Sequence, residues 1–458
     1  MKALARRGVL LFGFLIVPLV GLSQPSATLP GADDSPAVLG EDPGPPERLW
    51  TVRVGALATA ADTQECVQRL RNLGYTSIVA SGEGPVRSVW AGVFEYAVDA
   101  ELCVDDLRRR AFRRVEIASI PATPGRNQAI SRRLPVEAVF RLEAQHISET
   151  ADPQFDPETD PVIQEGRAAE VLRSAEGDAA LERLAEALPE SDSRRAWIVL
   201  RLAHRAREEG QWDRALDLFQ AVADGSMPVR RVDRINAMTR VGWILMYRTP
   251  DYRGAYRAYR EIELFTGSET VRANALAEQA WIMFEILRND RVGSWPEVRR
   301  FCARALARFE PGGSAERAKH RAVLRLIHLE TFHFESRYDD VVRYAQAYLE
   351  QYGEDEARRR EVGMARAWLG IAQMRLGQPD TARETFSDLA GMNLQPEENF
   401  AGEDMDVLAA TYSFELGVRE GNTDEMRFWA AYLQENHPDR AETATILRIL
   451  PDRLARGE

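Results

Sequence analysis

A 37-residue duplication constrains this chain more than any other feature of its sequence. Arg53-Val54-Gly55-Ala56-Leu57, followed by Asp62, Cys66, Leu70 and Tyr75, is matched by Trp90-Ala91-Gly92-Val93-Phe94, followed by Asp99, Cys103, Leu107 and Phe112. Every pair in the two sets lies 37 positions apart. Each copy reads as a strand running into an amphipathic helix, and one more strand after each helix gives a βαββαβ domain. Both helices then cover one face of the sheet, and the other face is left open as a candidate binding surface.

The pattern predicts strands at 49–57, 75–80, 86–94 and 115–120 and helices at 60–73 and 98–110, with Ser81-Gly82-Glu83-Gly84-Pro85 as a turn. Side chains alternate across a strand. With Val52, Val54, Val89 and Ala91 facing the helices, Thr51, Arg53, Ser88 and Trp90 fall on the open face. An indole there can stack on the C–H face of a sugar ring, and Arg53, Thr51 and Ser88 can hydrogen-bond its hydroxyl, acetamido or carboxylate groups. These four residues are the candidate glycan-binding set.

The same stretch resembles the SPOR (sporulation-related repeat) domain of bacterial envelope proteins over about residues 49–120. The residues that carry the resemblance are Trp50-Thr51-Val52-Arg53-Val54-Gly55-Ala56-Leu57, the helix ending Leu73-Gly74-Tyr75, and the second half from Arg87 to Phe112. The chain departs from the family in having Arg53 where glutamine is frequent, Ala56-Leu57 where Ser-Phe is usual, and a looser second half with Val93-Phe94 after Gly92. The resemblance implies binding to septal peptidoglycan, in particular glycan strands stripped of stem peptides, through the open sheet face. An RNA-recognition module shares the βαββαβ order but needs a basic and aromatic signature that is absent here.

Cys66 and Cys103 occupy equivalent places on the apolar sides of the two predicted helices. Packed as neighbours about a pseudo-twofold axis in an oxidising compartment, they could form a disulfide; the alternative is two ordinary buried thiols. Cys302 would stay unpaired.

Export is suggested by the first residues. Lys2, Arg6 and Arg7 precede the uncharged apolar run Gly8–Leu22, and Gly21-Leu22-Ser23 supplies small residues for cleavage, so residues 1–23 read as a signal peptide. The run is shorter than the ~20 apolar residues of a spanning helix, so no stable transmembrane anchor is expected and the periplasm or cell envelope is the expected location. Residues 24–47, rich in Pro, Gly, Ala and Asp, read as a disordered tether. The small domain then occupies 48–121, and 122–161 reads as a linker. A net charge of −12 argues against a nucleic-acid partner, whose phosphates require a basic face.

From residue 162 to 458 the apolar period changes to 3.6 and the chain reads as an all-α helical-hairpin solenoid. A small or apolar residue recurs at Ala215, Ala255, Val298, Val341, Ala382 and Met426, 40 to 44 residues apart, and four residues later stand Phe219, Tyr259, Cys302, Ala345, Phe386 and Ala430. Ala203-His204-Arg205-Ala206 with Gly210-Gln211-Trp212, Ala215 and Phe219 resembles a tetratricopeptide repeat, as do Leu369-Gly370-Ile371-Ala372 with Gly377-Gln378, Ala382 and Phe386, and the stretch from Gly421 to Pro438. The resemblance implies a curved groove that binds segments of a protein partner. Trp197, Trp243, Tyr247, Trp281 and Trp368 fall on first helices, where repeat packing itself consumes apolar side chains, so they read as core.

No catalytic pattern emerges. The six histidines show no metal-ligand spacing, and there is no Gly-x-Ser-x-Gly elbow, phosphate-binding loop or cofactor motif. Asp105-Asp106, Asp339-Asp340 and Glu397-Glu398 read as solvated neighbours. The expected fold class is therefore α+β, a ferredoxin-like βαββαβ domain followed by a tetratricopeptide-like solenoid. The expected function is non-enzymatic: an envelope protein that binds peptidoglycan and recruits a protein partner in division or wall remodelling, with no cofactor. The alternatives are a repeat scaffold in outer-membrane or secretion assembly with a degenerate small domain, and a peptidoglycan hydrolase, which would need two carboxylates facing one cleft.

Overall fold

The computed structural model describes residues 48–57, 59–73, 75, 77–80, 87–112, 114–121, 158–172, 174–225, 227–309, 315–392 and 404–456, with Pro46 and Leu394. The signal, the tether, the 81–85 turn and most of the 122–161 linker lie outside the described residues. The chain divides into two compact units, one spanning 43–297 and one from 298 onward.

The first unit opens with β1 (Arg48–Leu57), α1 (Ala60–Asn72), β2 (Ser77–Ala80), β3 (Arg87–Phe94), α2 (Ala97–Arg109) and β4 (Val115–Pro121). The strands form one antiparallel sheet in the order β2-β3-β1-β4, so the two copies contribute the two central strands. Helix α1 packs on β2 and β3 with a lighter contact to β1, and α2 packs on β4, β1 and β3. The expected inward set, Val52, Val54, Val89 and Ala91, is buried, together with Leu70, Tyr75, Leu107 and Phe112 from the repeated pattern.

Both repeated glycines have a backbone reason. The β1–β3 register slips between Val54 and Ala56 and again between Trp50 and Val52, which pairs with Ala91 while Trp50 pairs with Phe94. Gly55 (φ +60°) and Gly92 (φ +69°) sit at these two bulges in the left-handed region, where a Cβ is costly. The conformational demand recurs because the unit is duplicated.

Of the two alternatives for Cys66 and Cys103, the structure has two buried free thiols. Helix α1 lies mainly over β2 and β3 and α2 mainly over β4 and β1, and Cys103 sits next to Tyr75 and Asp106. Burial pushes both thiols up from their ordinary range.

Helical hairpins follow. In the first unit these are α3 (Pro161–Glu170), α4 (Ser174–Ala187), α5 (Ser193–Glu208), α6 (Trp212–Ala223), α7 (Arg231–Tyr247), α8 (Tyr252–Phe265) and α9 (Glu269–Asp290). The division between units falls within α10 (Trp295–Leu306). The second unit continues with α11 (Ala315–Phe334), α12 (Tyr338–Tyr352), α13 (Arg359–Arg375), α14 (Pro379–Gly391), α15 (Met405–Glu420), α16 (Thr423–Asn436) and α17 (Ala441–Arg456). From α3 to α9, and again from α11 to α17, each helix packs on the next, and α3 also touches α5, α11 touches α13, α13 touches α15 and α15 touches α17.

Every residue of the 40-to-44-residue repeat is buried. Ala215, Ala255, Val298, Val341, Ala382 and Met426 are at most 1% exposed, and so are Phe219, Tyr259, Cys302, Ala345, Phe386 and Ala430. In two of these hairpins the first-helix position opposite the ring is a glycine: Gly242 faces Tyr259, and Gly370 faces Phe386. This is why the repeat is legible in sequence. Trp197 and Trp281 are core, as expected, whereas Trp243, Tyr247 and Trp368 are half-buried.

Candidate ligand-binding face and its attachment to the repeats

Arg53 and Trp90 are direct register partners on β1 and β3, so the two equivalent positions of the duplication meet at the centre of the sheet. Arg53 is exposed and Trp90 half-buried, on the face opposite Val52, Val54, Val89 and Ala91. On its other side Arg53 is paired with Glu116 of β4, and both Nε, at 2.5 Å, and Nη2 donate to Glu116 Oε1. Glu116 was not among the expected residues, although alternation in 115–121 places it on the same face as Arg53. The ion pair is about half exposed on both sides, a setting in which such pairs contribute little stability. Its effect is to preset the guanidinium direction and to offset its charge.

Thr51 departs from the expectation. It is buried, and its hydroxyl donates to the Gly92 carbonyl at 2.7 Å. The bulge at Gly92 brings that carbonyl under the hydroxyl, so Thr51 stabilises the irregular register and is not available to a ligand. Ser88 pairs in register with Ala56 and Ala80, and its side chain lies outside the described residues. Among the described side chains the candidate face comprises Trp90, Arg53 and Glu116.

The adjacent carboxylates of α2 also split. Asp105 is exposed, as expected, but Asp106 is buried and accepts from Tyr75 Oη at 2.5 Å and Arg110 Nε at 2.9 Å. Burial and the neighbouring Asp106 carboxylate push the Tyr75 phenol far above its ordinary value.

The small domain is seated on the repeat helices of its own unit, an arrangement the sequence pattern did not signal. Glu297 Oε1 accepts from Trp50 Nε1 and from Ser294 Oγ, each at 3.0 Å, and its Oε2 accepts the backbone N–H of Ala97 at 3.0 Å. Asp99 accepts from Tyr256 Oη at 3.1 Å and lies 3.8 Å from Arg260 Nε. Glu101 receives Arg253 through Nε at 2.6 Å and Nη2 at 3.0 Å, a bidentate pair. Arg260 is almost fully buried; burial alone would lower its pKa, but Asp99 and Glu263 outweigh it and hold the guanidinium firmly charged. These contacts run through the first turns of α2 and the indole edge of Trp50, away from the Arg53–Trp90 pair.

Elsewhere, a cleft of about 520 Å³ in the second unit is lined by Gly353, Glu354, Asp355, Arg359, Arg366 and Met392. Its arginines are engaged locally, Arg359 with Glu356 and the Met392 carbonyl and Arg366 with Asp388. Among the described residues no group of three metal-ligating side chains converges, and no helix is long and apolar enough to cross a membrane.

No protein-family model matches the chain. No curated protein matches it either. Solved structures do show similarity. PilW, a widely conserved type IV pilus biogenesis factor, is 16% identical with a TM-score of 0.40, over 55% of this chain and 98% of that one. A tetratricopeptide repeat protein from Parabacteroides merdae is 9% identical with a TM-score of 0.41, over 67% of this chain and 99% of that one. The C-terminal part of a tetratricopeptide repeat-containing protein from Cytophaga hutchinsonii is 14% identical with a TM-score of 0.41, over 62% of this chain and 99% of that one. These likenesses carry nothing about what this chain binds; its helical-hairpin character stands on its own buried repeat positions.

Proposed function

We propose that this chain is a non-enzymatic protein of the cell envelope that holds peptidoglycan on the outer face of its SPOR-like sheet and a protein partner on its tetratricopeptide-like repeats. The observation that carries this reading is the direct opposition of Arg53 and Trp90 across the two central strands. An aromatic face beside a cation suits a sugar ring bearing acetamido and carboxylate groups, and denuded septal glycan is the ligand implied by the resemblance at residues 49–120. Holding two ligands on one chain raises the effective concentration of each near the other, so the mechanism is co-localisation.

A second reading is favoured by a different observation. Arg53 is already offset by Glu116, and the small domain is attached to α8 and the start of α10 by buried charge. On this reading the sheet is a structural part of a repeat scaffold in envelope assembly and binds no glycan.

Co-sedimentation of the full chain with purified peptidoglycan, before and after an amidase removes the stem peptides, separates the two. The glycan reading expects pelleting that rises after amidase treatment, is lost in Trp90→Ala and Arg53→Ala, and strengthens in Glu116→Gln, which frees the guanidinium. A folded chain that does not pellet in any form leaves the scaffold reading standing alone.

A further inference from the structure

Thr59 and Tyr96 hold equivalent places in the two copies, and at this position the copies diverge. In the first copy Thr59 caps α1: its hydroxyl accepts from the Asp62 N–H at 3.1 Å, and the Asp62 carboxylate accepts from the Thr59 N–H at 3.2 Å. In the second, Tyr96 stands at the N-cap and makes no side-chain cap bond. Asp99, the counterpart of Asp62, is turned instead to Tyr256 and Arg260. The Ala97 N–H left without a local acceptor is taken by Glu297, whose negative charge also suits the positive end of the helix.

The receiving side has its own replacements. Arg260 pairs with Glu263 as well as Asp99, Arg253 has Asp290 at 3.5 Å as well as Glu101, and Glu297 has Ser294 as well as Trp50 and Ala97. Each of these three groups keeps a partner from the repeats when the contacts from α2 and β1 are removed. On the other side, Trp50, Asp99 and Glu101 can return to water. Arg260 and Arg253 thus keep a counter-charge, the loss of which is the usual reason a buried ionic contact is costly to break, and Glu297 keeps a hydroxyl donor.

We propose that α2 is a latch. In the closed state the repeats cap its first turn through Glu297; in the open state that turn is uncapped and the small domain is released from α8, while α1, which carries its own cap, is the same in both. Local opening of this kind is read by amide hydrogen exchange, which resolves segments whose opening is easier than global unfolding.

The test compares amide exchange in the full wild-type chain, Glu297→Ala and Tyr256→Phe. Loss of a charge-assisted capping bond is expected to speed exchange about tenfold from Ala97 to Val104 and around Trp50, with α1 and α5 unchanged. Tyr256→Phe, which removes one hydroxyl and leaves every charge in place, is expected to produce a smaller increase confined to the same segments. Unchanged exchange in α2 in both variants overturns the latch. So does a parallel rise through α1, α2 and α5 to α8 in both, because the small domain and the repeats would then open only as one cooperative body.

Discussion

Gly370 of α13 lies so close to the ring of Phe386 on α14 that a Cβ added at Gly370 would stand 2.7 Å from Cε1 and 2.8 Å from Cζ. Phe386 is fully buried at the repeat position of its hairpin, so the ring has no free space to enter. Gly370→Ala is therefore expected to destabilise the second unit by about 1–3 kcal/mol, the usual cost of overpacking a close-packed core. Gly242→Ala, which meets Tyr259 at 2.7 Å, should do the same in the first unit. Gly391→Ala, with nothing within 4 Å of the added carbon, is the control and should be neutral or slightly stabilising. Urea denaturation of the three variants checks the order.

The two bulge glycines make a paired prediction. Alanine at Gly55 or Gly92 must adopt the left-handed backbone at φ +60° or +69°, at a cost of roughly 1–2 kcal/mol each. Because Thr51 hydrogen-bonds the Gly92 carbonyl, Thr51→Val should couple to Gly92→Ala and not to Gly55→Ala. A double-mutant cycle measured by denaturant melts tests this; equal coupling to both glycines would show that Thr51 does not serve the Gly92 bulge.

The elements legible in the sequence were those with a local or periodic cause. The six elements of the small domain fall within about two residues of the expected bounds because strand alternation and helix period are local. The repeat positions were legible because each hairpin meets the same packing demand at Ala382 and Phe386 as at Ala215 and Phe219. The duplication puts Arg53 and Trp90 at equivalent positions, and the sheet register adds that they pair directly. What sequence could not supply was any contact between residues far apart in the chain. Glu297 lies 200 residues from Ala97, and nothing in its neighbourhood marks it as a helix cap. Thr51 differs from its expected place for a related reason, since alternation assigns a face but does not reveal that a bulge brings a carbonyl beneath the hydroxyl. The one local clue to docking was the replacement of Thr59 by Tyr96 in the second copy, a missing cap that calls for an acceptor from elsewhere.

Asp178 ties successive repeat helices together and should be sensitive to neutralisation. From α4 it accepts from Arg205 of α5 at 2.6 Å and from Arg214 of α6 at 3.0 Å, and the Asp178 and Arg205 side chains are nearly buried. Asp178→Ala leaves the Arg205 guanidinium without its carboxylate and is expected to cost about 3 kcal/mol. Glu182→Ala removes only the more exposed partner of Arg214, at 2.7 Å, and should cost less than about 1 kcal/mol. Thermal melts of the two variants test the ranking, and equal losses would contradict it.

Acid should weaken the second unit through its histidines. Burial holds His320 and His333 down at about 4 and His328 at about 3, and neighbouring positive charge lowers each further: Lys319 at His320, Arg375 at His333 and Arg299 at His328. All three lie on α11; His204, also held down at about 4, is in the first unit. An unfolded histidine titrates near 6.5. Between that value and the folded one, the unfolded chain binds more protons, so stability falls as pH falls. The loss is absent above about pH 7, begins near 6.5 and accumulates down to about 4, at up to about 1.4 kcal/mol per pH unit for each histidine. His328 packs edge-on against Phe332 and tilted against Tyr344, so His328→Phe keeps a ring in that stack while removing the proton site. Urea midpoints measured from pH 7.5 to 4.5 should then show a stability slope shallower by about one proton than wild type, with little change above pH 7. A slope identical to wild type would place the acid sensitivity on other groups.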